Sequence, residues 1–411
     1  MVVVVTRVQT VPPGIRARAP YLTRVSEQAG GRGCRGGSGP GGRSQMKYVI
    51  AVGLWMVALG ACQVAALPQV VEERAEVSDA ELYDPGALTV MTRSLSGGAG
   101  LERVLGAPTA ADVPIRAAEL LGSPRHEDIS TQARKLAEEI QSARPHLIGL
   151  QRVTQVRRQT PGDAIFGGTL PAQTLEQDVL PVLLGELEAR GLHYREVARV
   201  RNADVELPVL TSAAPGYDDV RLTDFDVVLA RADVKVDGVR TGHYQAHREV
   251  VGRGLGPVEL PRGWASVVAV VGGRTYRFIS THLEPAPDEE GLRVQLAQAE
   301  ELIASLRRER LPVVLVGNFN TPANLGLMGA PTYRELLLAG YVDVWTRRLG
   351  KTNPGVETGA LAERLDLVLV RNTVTPVASR VGPVLAYGMG TRLETPRSGV
   401  VARLRMPSRS P

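Results

Sequence analysis

Cysteine is nearly absent: 411 residues hold two, Cys34 and Cys62, and both precede the stretch of globular composition. Beyond them neither a disulfide framework nor a cysteine-ligated metal can form. Long apolar runs are missing too. The best candidate, Tyr48–Ala61, falls short of the ~20 residues that a bilayer-spanning helix needs. An excess of one charge sign is lacking in the body, although the total of +5 hides this. Residues 1–47 hold seven Arg, one Lys and one Glu, a surplus of +7 in total with one Glu subtracted, which leaves −2 for residues 62–411. Nonspecific nucleic-acid binding rests on neutralising phosphates, so it has no global support here. Between Ala87 and Met406 there is no low-complexity break and no repeat. With 44% hydrophobic and 22% charged residues, that stretch reads as one large layered domain.

The N-terminal region has a different character. In "MKYVIAVGLWMVALGAC", Lys47 is a short positive segment and Tyr48–Ala61 an uncharged apolar one, so 46–61 reads as a signal peptide. It ends in Leu59-Gly60-Ala61-Cys62, which resembles a bacterial lipobox. That resemblance implies a lipid on Cys62, attachment to the membrane through it, and a place in the bacterial cell envelope. Gln63, in place of Asp, favours the outer membrane facing the periplasm. An ordinary signal peptide with an incidental cysteine is the alternative. Residues 1–45 read as a disordered leader or a start codon placed too early, and 62–86 as a tether, leaving 87–406 as the domain.

Within the domain, apolar spacing predicts strands over 87–94, 146–153, 224–234, 264–273, 275–285, 364–372 and 398–406, with another opening "VVLVGNFNTP" (313–322). Helices are expected over 127–144, over 174–191 with a kink near Pro181, and over 290–310, where the acidic "PDEE" marks the start. His243 and His247 have an i, i+4 spacing that suits a metal only on a helix. Their segment reads as strand or loop, so no metal site is expected there.

Polar residues sit at several strand ends: "MTRS", "GLQRV", "STHLEP", "VGNFN", "ERLDLVLV" and "ETPRSGVVARL". In this order they resemble the endonuclease/exonuclease/phosphatase superfamily. The resemblance implies a four-layer α/β/β/α sandwich, two packed mixed β-sheets with helices outside, and strand ends meeting in one cleft. It also implies phosphate-ester hydrolysis with a divalent cation, the cation held by carboxylates and the protons handled by a carboxylate and a histidine. Of the family's site residues, this chain keeps His282, Asn320 and Asp366. It departs at five positions: Ser94 replaces Asn, Arg152 replaces a metal-binding Glu, Asn318 replaces Asp, and Pro396-Arg397 replaces Asp-His.

Asp366 with Arg152 and Arg397 sums to +1 where the family has a surplus of carboxylates. An arginine about 4 Å from a dication is repelled by about 8 kcal/mol at an effective dielectric near 20. It cannot shed its proton to relieve this. Mg²⁺ binding in the family manner is therefore not expected, no cofactor is expected, and an Asp366–Arg397 ion pair is. The leading reading is a catalytically impaired domain on a lipid anchor. Arg152, His282, Asn320 and Arg397 would then form a metal-free anion site for a phosphorylated small molecule or lipid headgroup, or the cleft would serve a protein partner. Two alternatives stay open. One is an active Mg²⁺-dependent phosphodiesterase or nuclease whose site is rebuilt from Asp224, Asp226 and Glu284. The other is a structural envelope lipoprotein. Neither the ligand nor the oligomeric state is written in the sequence.

Overall fold

A computed structural model describes residues 87–95, 100–122, 128–212, 216–252, 256–323, 326–328, 330–345, 364–372, 375–381 and 399–405. The leader, signal peptide, tether, Cys62, Pro396 and Arg397 lie outside these residues. In chain order the elements are β1 (Leu88–Ser94), α1 (Leu101–Leu105), α2 (Asp112–Leu121), α3 (Ile129–Ala143), β2 (Leu147–Gln159), β3 (Thr174–Asp178) and α4 (Val179–Glu188). Next come β4 (Tyr194–Leu210), β5 (Tyr217–Arg231), β6 (Lys235–His243), β7 (Arg248–Gly252), β8 (Gly256–Leu260), β9 (Gly263–Val271) and β10 (Arg274–His282). The last are α5 (Glu289–Leu306), β11 (Val313–Asn318), α6 (Pro331–Leu338), β12 (Val342–Asp343), β13 (Asp366–Arg371), β14 (Thr375–Val381) and β15 (Val400–Arg405).

Local chemistry sets the helix ends. Asp128, Asp178 and Asp288 each cap a helix, accepting from the backbone N–H of Thr131, Leu180 and Gly291. Helix α3 stops at Arg144, whose φ of 43° is left-handed, directly before Pro145. The helix expected over 174–191 begins as a strand. Thr174–Asp178 pairs with β2 instead, and the helix begins only after the Asp178 cap. Pro181 then falls in the first helical turn, where its missing N–H costs nothing, and causes no kink.

One sheet runs β14-β15-β1-β2-β5-β4, with β3 attached to β2, and the other runs β12-β13-β11-β10-β9-β6. At the centre of each lies a parallel pair, β1 with β2 and β10 with β11. The layers follow from which side chains meet. Leu88, Val90, Leu147, Val228 and Ala230 of the first sheet pack on Val267, Phe278, Val314, Val316 and Val368 of the second. The opposite face of the first sheet (Met91, Ile148, Leu150, Val227) is covered by α3 and α4. The opposite face of the second (Ile279, Val313, Leu315, Leu369) is covered by α5 and α6. The result is a four-layer α/β/β/α sandwich. A satellite core joins α1 and α2 to the outer reach of the long β4–β5 hairpin.

The sheets come close together at Gly149. A Cβ there would lie 2.6 Å from Val316 Cγ2 and 2.7 Å from Ser280 Oγ. Gly149→Ala should therefore destabilise the domain by ~1–3 kcal/mol, the usual cost of overpacking, read as a lower urea midpoint with an unchanged slope.

Candidate functional site

In a strand, side chains two residues apart face the same way. The series facing the inter-sheet core turns polar at one end on six strands. On β1, Leu88 and Val90 give way to Thr92 and Ser94; on β2, Leu147 gives way to Gln151. On β10, Tyr276 and Phe278 give way to Ser280 and His282; on β11, Val314 and Val316 give way to Asn318. On β13 and β5, which run the other way, the same face carries Asp366 and Asp226. Registers bring these residues side by side. Ser94 pairs with Gln151, and His282 with Asn318, which in turn pairs with Asp366. All are buried.

The two sheets meet here through hydrogen bonds. Asn318 Nδ2 donates to Ser94 Oγ (3.1 Å), and Ser94 Oγ donates to Asp366 Oδ1 (3.1 Å). Gln151 accepts from Thr92 Oγ1 (3.1 Å) and donates to Ser280 Oγ (3.0 Å). The Asn318 amide has a fixed orientation because its Oδ1 accepts the backbone N–H of Asn320 (2.9 Å). A flipped amide would set NH₂ against N–H. Asn320 is itself left-handed, with φ 48°, a conformation asparagine tolerates. Its side chain donates to the Leu283 carbonyl (2.7 Å), so it braces the loop.

His282 belongs to a second cluster. Arg262 Nη1 lies 3.3 Å from His282 Nδ1. A guanidinium can only donate, so Nδ1 accepts and the ring proton sits on Nε2. Arg262 Nε also donates to Glu284 Oε2 (3.0 Å) in a buried ion pair. Asp226 Oδ1 lies 3.8 Å from His282 Nδ1 and accepts the Arg152 backbone N–H (3.4 Å). Burial, then the neighbouring Asp224 carboxylate, push Asp226 up to about 8; Asn202, Arg262 and that backbone N–H offset this in part. Behind the loops, two buried glutamines of α5 hold Glu284. Gln298 accepts its N–H (2.8 Å) and Gln295 donates to its carbonyl (2.7 Å).

Arg152 is the bulged residue of β2. Pairing to β5 slips between Leu150 and Val153, and φ at Arg152 is 60°. The structure thus joins Ser94, Asn318 and Asp366 directly, places Arg152 and His282 around Asp226, and uses Asn320 in the loop. Asp366 takes a serine hydroxyl; the ion pair expected with Arg397 lies outside the described residues. Of the three carboxylates considered as replacements, Glu284 is committed to Arg262, and Asp226 holds its proton at neutrality beside Asp224. Sequence reasoning missed Arg262, Asn202, Gln295 and Gln298. The glutamines had a signal, since they share the buried face of α5 with Val294, Ala299 and Leu302.

The residues present do not fit Mg²⁺. That ion demands hard oxygen ligands and leans on carboxylates. At the family's metal positions the described residues offer one, Asp366, together with an amide whose NH₂ points at Ser94, a hydroxyl engaged on both sides, and an arginine.

Fold and site together define a two-sheet sandwich of the phosphoesterase type, with a polar floor at the strand ends. Residues 121–388 match the endonuclease/exonuclease/phosphatase family, and the chain belongs to it. Similar solved structures include an endonuclease/exonuclease/phosphatase from Beutenbergia cavernae (19% identity, TM-score 0.49, covering 78% of this chain and 72% of that one). Another comes from Bacteroides vulgatus (11%, 0.47, 78% and 99%). A third is a mannosyl-6-phosphatase of Bacteroides thetaiotaomicron (14%, 0.44, 78% and 100%). No curated protein sequence matches.

Asp226 predicts a pH effect on stability. Its carboxyl holds a proton in the folded state up to about 8 but is ionised in the unfolded chain, so the folded state binds more protons and stability falls as pH rises. His146 acts oppositely. Burial, then Arg231, lower it from 6.5 to about 4, so its contribution is complete above 6.5 and is lost as pH falls toward 4. Between pH 6.5 and 8 the His146 contribution no longer changes, and the Asp226 slope amounts to up to ~1.4 kcal/mol per pH unit. Asp226→Asn should flatten the melting temperature over that window.

Proposed function

We propose that this endonuclease/exonuclease/phosphatase domain no longer performs divalent-metal hydrolysis, and that its strand-end cleft holds a phosphorylated small molecule or lipid headgroup without a metal. The observation that carries the reading is the locked Asn318 amide. Where the family resemblance calls for a carboxylate, the chain has a neutral amide that donates to Ser94, and one lone pair of its oxygen is used by the Asn320 backbone N–H. The neighbouring substitution acts in the same direction, because Arg152 brings positive charge where the resemblance calls for Glu. A guanidinium with hydrogen-bond donors around it suits a phosphate directly.

The test is a comparison under metal and metal-free conditions. Hydrolysis of bis(p-nitrophenyl) phosphate with Mg²⁺ or Mn²⁺ should not exceed that of an identically prepared His282→Ala protein. Calorimetry with inorganic phosphate or an inositol phosphate in EDTA should give saturable binding that Arg152→Gln weakens at least tenfold. Metal-dependent turnover that EDTA and His282→Ala both abolish would overturn the reading in favour of a working phosphodiesterase. Absence of both turnover and anion binding would leave a structural envelope protein.

We further propose that the domain is tethered through a lipid on Cys62, in a bacterial envelope and facing the periplasm. The lipobox-like Leu59-Gly60-Ala61-Cys62 supports this. Among the described residues no helix is long and apolar enough to cross a membrane. Cys62→Ser should move the protein from the membrane fraction to the soluble fraction; unchanged membrane recovery would sink the anchor.

A further inference from the structure

The β7–β8 ribbon is a separate two-stranded sheet with two unlike faces. Val250, Val258 and Leu260 lie on the side packed against the satellite core. The other side carries His247, Glu249 and Glu259, all exposed. Glu249 and Glu259 are direct cross-strand partners. His247 precedes Glu249 by two residues and so shares its face. Their ligand atoms all lie within 4.8 Å of one another.

Two carboxylates facing each other on paired strands are an unfavourable arrangement. Like charges directly opposite on paired strands repel. The nearby Arg248 is turned the other way, to Asp288 at 2.8 Å and Glu290 at 3.9 Å. Two-stranded ribbons are marginal in water, yet this one holds two carboxylates face to face. The imidazole is also prepared from outside the triad. His247 Nδ1 lies 2.9 Å from the Gln245 carbonyl oxygen, which can only accept, so Nδ1 carries the proton and Nε2 keeps its lone pair. A metal-bound histidine is commonly oriented in this way. Gln245 is in turn pinned, with Ala246, by the Glu301 carboxylate of α5 through two backbone N–H groups at 2.8 and 2.9 Å.

We propose that His247, Glu249 and Glu259 bind a zinc-type divalent ion, with water completing the coordination. The site is distinct from the strand-end cleft. One imidazole nitrogen and two carboxylate oxygens are a borderline donor set that favours Zn²⁺ over Mg²⁺ or Ca²⁺. Zn–N and Zn–O bonds of ~2.0–2.1 Å at tetrahedral angles put the donors ~3.3 Å apart. Closing from 4.8 Å takes only rotation of exposed side chains. The sequence spacing of His243 and His247 gave no reason to expect a metal here. His243 bonds the Arg201 carbonyl and takes no part. Bound, the ion would clip β7 to β8 and relieve the repulsion between the glutamates.

The full chain titrated with ZnCl₂ should bind one ion at this site. His247→Ala and Glu249→Gln should each weaken that binding at least tenfold, while His243→Ala should leave it unchanged. Co²⁺ in place of Zn²⁺ should give visible d–d bands without thiolate charge transfer, which separates this site from Cys34 and Cys62. Zn²⁺ should also slow proteolytic cleavage within 248–260 in the wild type and not in His247→Ala. No saturable binding, binding undiminished in His247→Ala, or equal loss in His243→Ala would each overturn the proposal. All three side chains are exposed, so the variants keep the fold, and their circular dichroism checks this.

Discussion

A polar side chain buried between two packed sheets costs free energy unless each donor and acceptor finds a partner. That requirement governs the end of the sandwich where β1, β2, β10 and β11 stop. Their inward faces deliver hydroxyls, amides, an imidazole and carboxylates to one buried place, and the sheets are joined there by Asn318–Ser94–Asp366 and Gln151–Ser280. The apolar core below holds the sheets close enough for these bonds to form, with Gly149 as a point of close approach. In return, the bonds prevent the polar end from pulling the sheets apart toward water.

The backbone is shaped to the same requirement. Gly317 has φ 151°, and a Cβ there would sit 2.0 Å from the Thr281 carbonyl oxygen, so only glycine lets β11 lie so close to β10. One residue later comes Asn318. The bulge at Arg152 turns a backbone N–H toward Asp226, and left-handed Asn320 turns its N–H back to Asn318. A non-glycine residue in the left-handed region costs ~1–2 kcal/mol. At Arg152 and Asn320 the resulting N–H bonds offset that cost by satisfying buried acceptors.

The strand-end residues were legible because each borders an apolar run, and a polar residue beside such a run stands out without any structure. Strands mixed with amphipathic helices were legible from apolar spacing, while the four-layer sandwich came from the family resemblance. What lay beyond the sequence was partnership. Arg262 sits between a proline and a glycine in an ordinary loop string, and only the register of β9 on β10 sets it against His282 and Glu284. Thr174–Asp178 carries helix-compatible residues and is a strand because β2 extends far enough to recruit it. The His247 triad needs a cross-strand partner twelve residues away, which no local period encodes.

Of the substitutions at the cleft, Asn318 weighs more than Arg152. An arginine has a long stem and can swing its charge several ångströms, so its presence alone would not close a cation site. Asn318 has no such freedom. Both ends of its amide are engaged, one by the backbone and one by Ser94, within a buried network where losing a partner leaves a polar group unsatisfied at ~1–3 kcal/mol. The same network engages Asp366, the carboxylate that remains. Asp226 stays protonated and Glu284 stays with Arg262, so the second cluster also settles its charges internally. Asp366 and Glu284 are thus each held by a bond to another side chain, and Asp226 is held toward its protonated form by burial and Asp224.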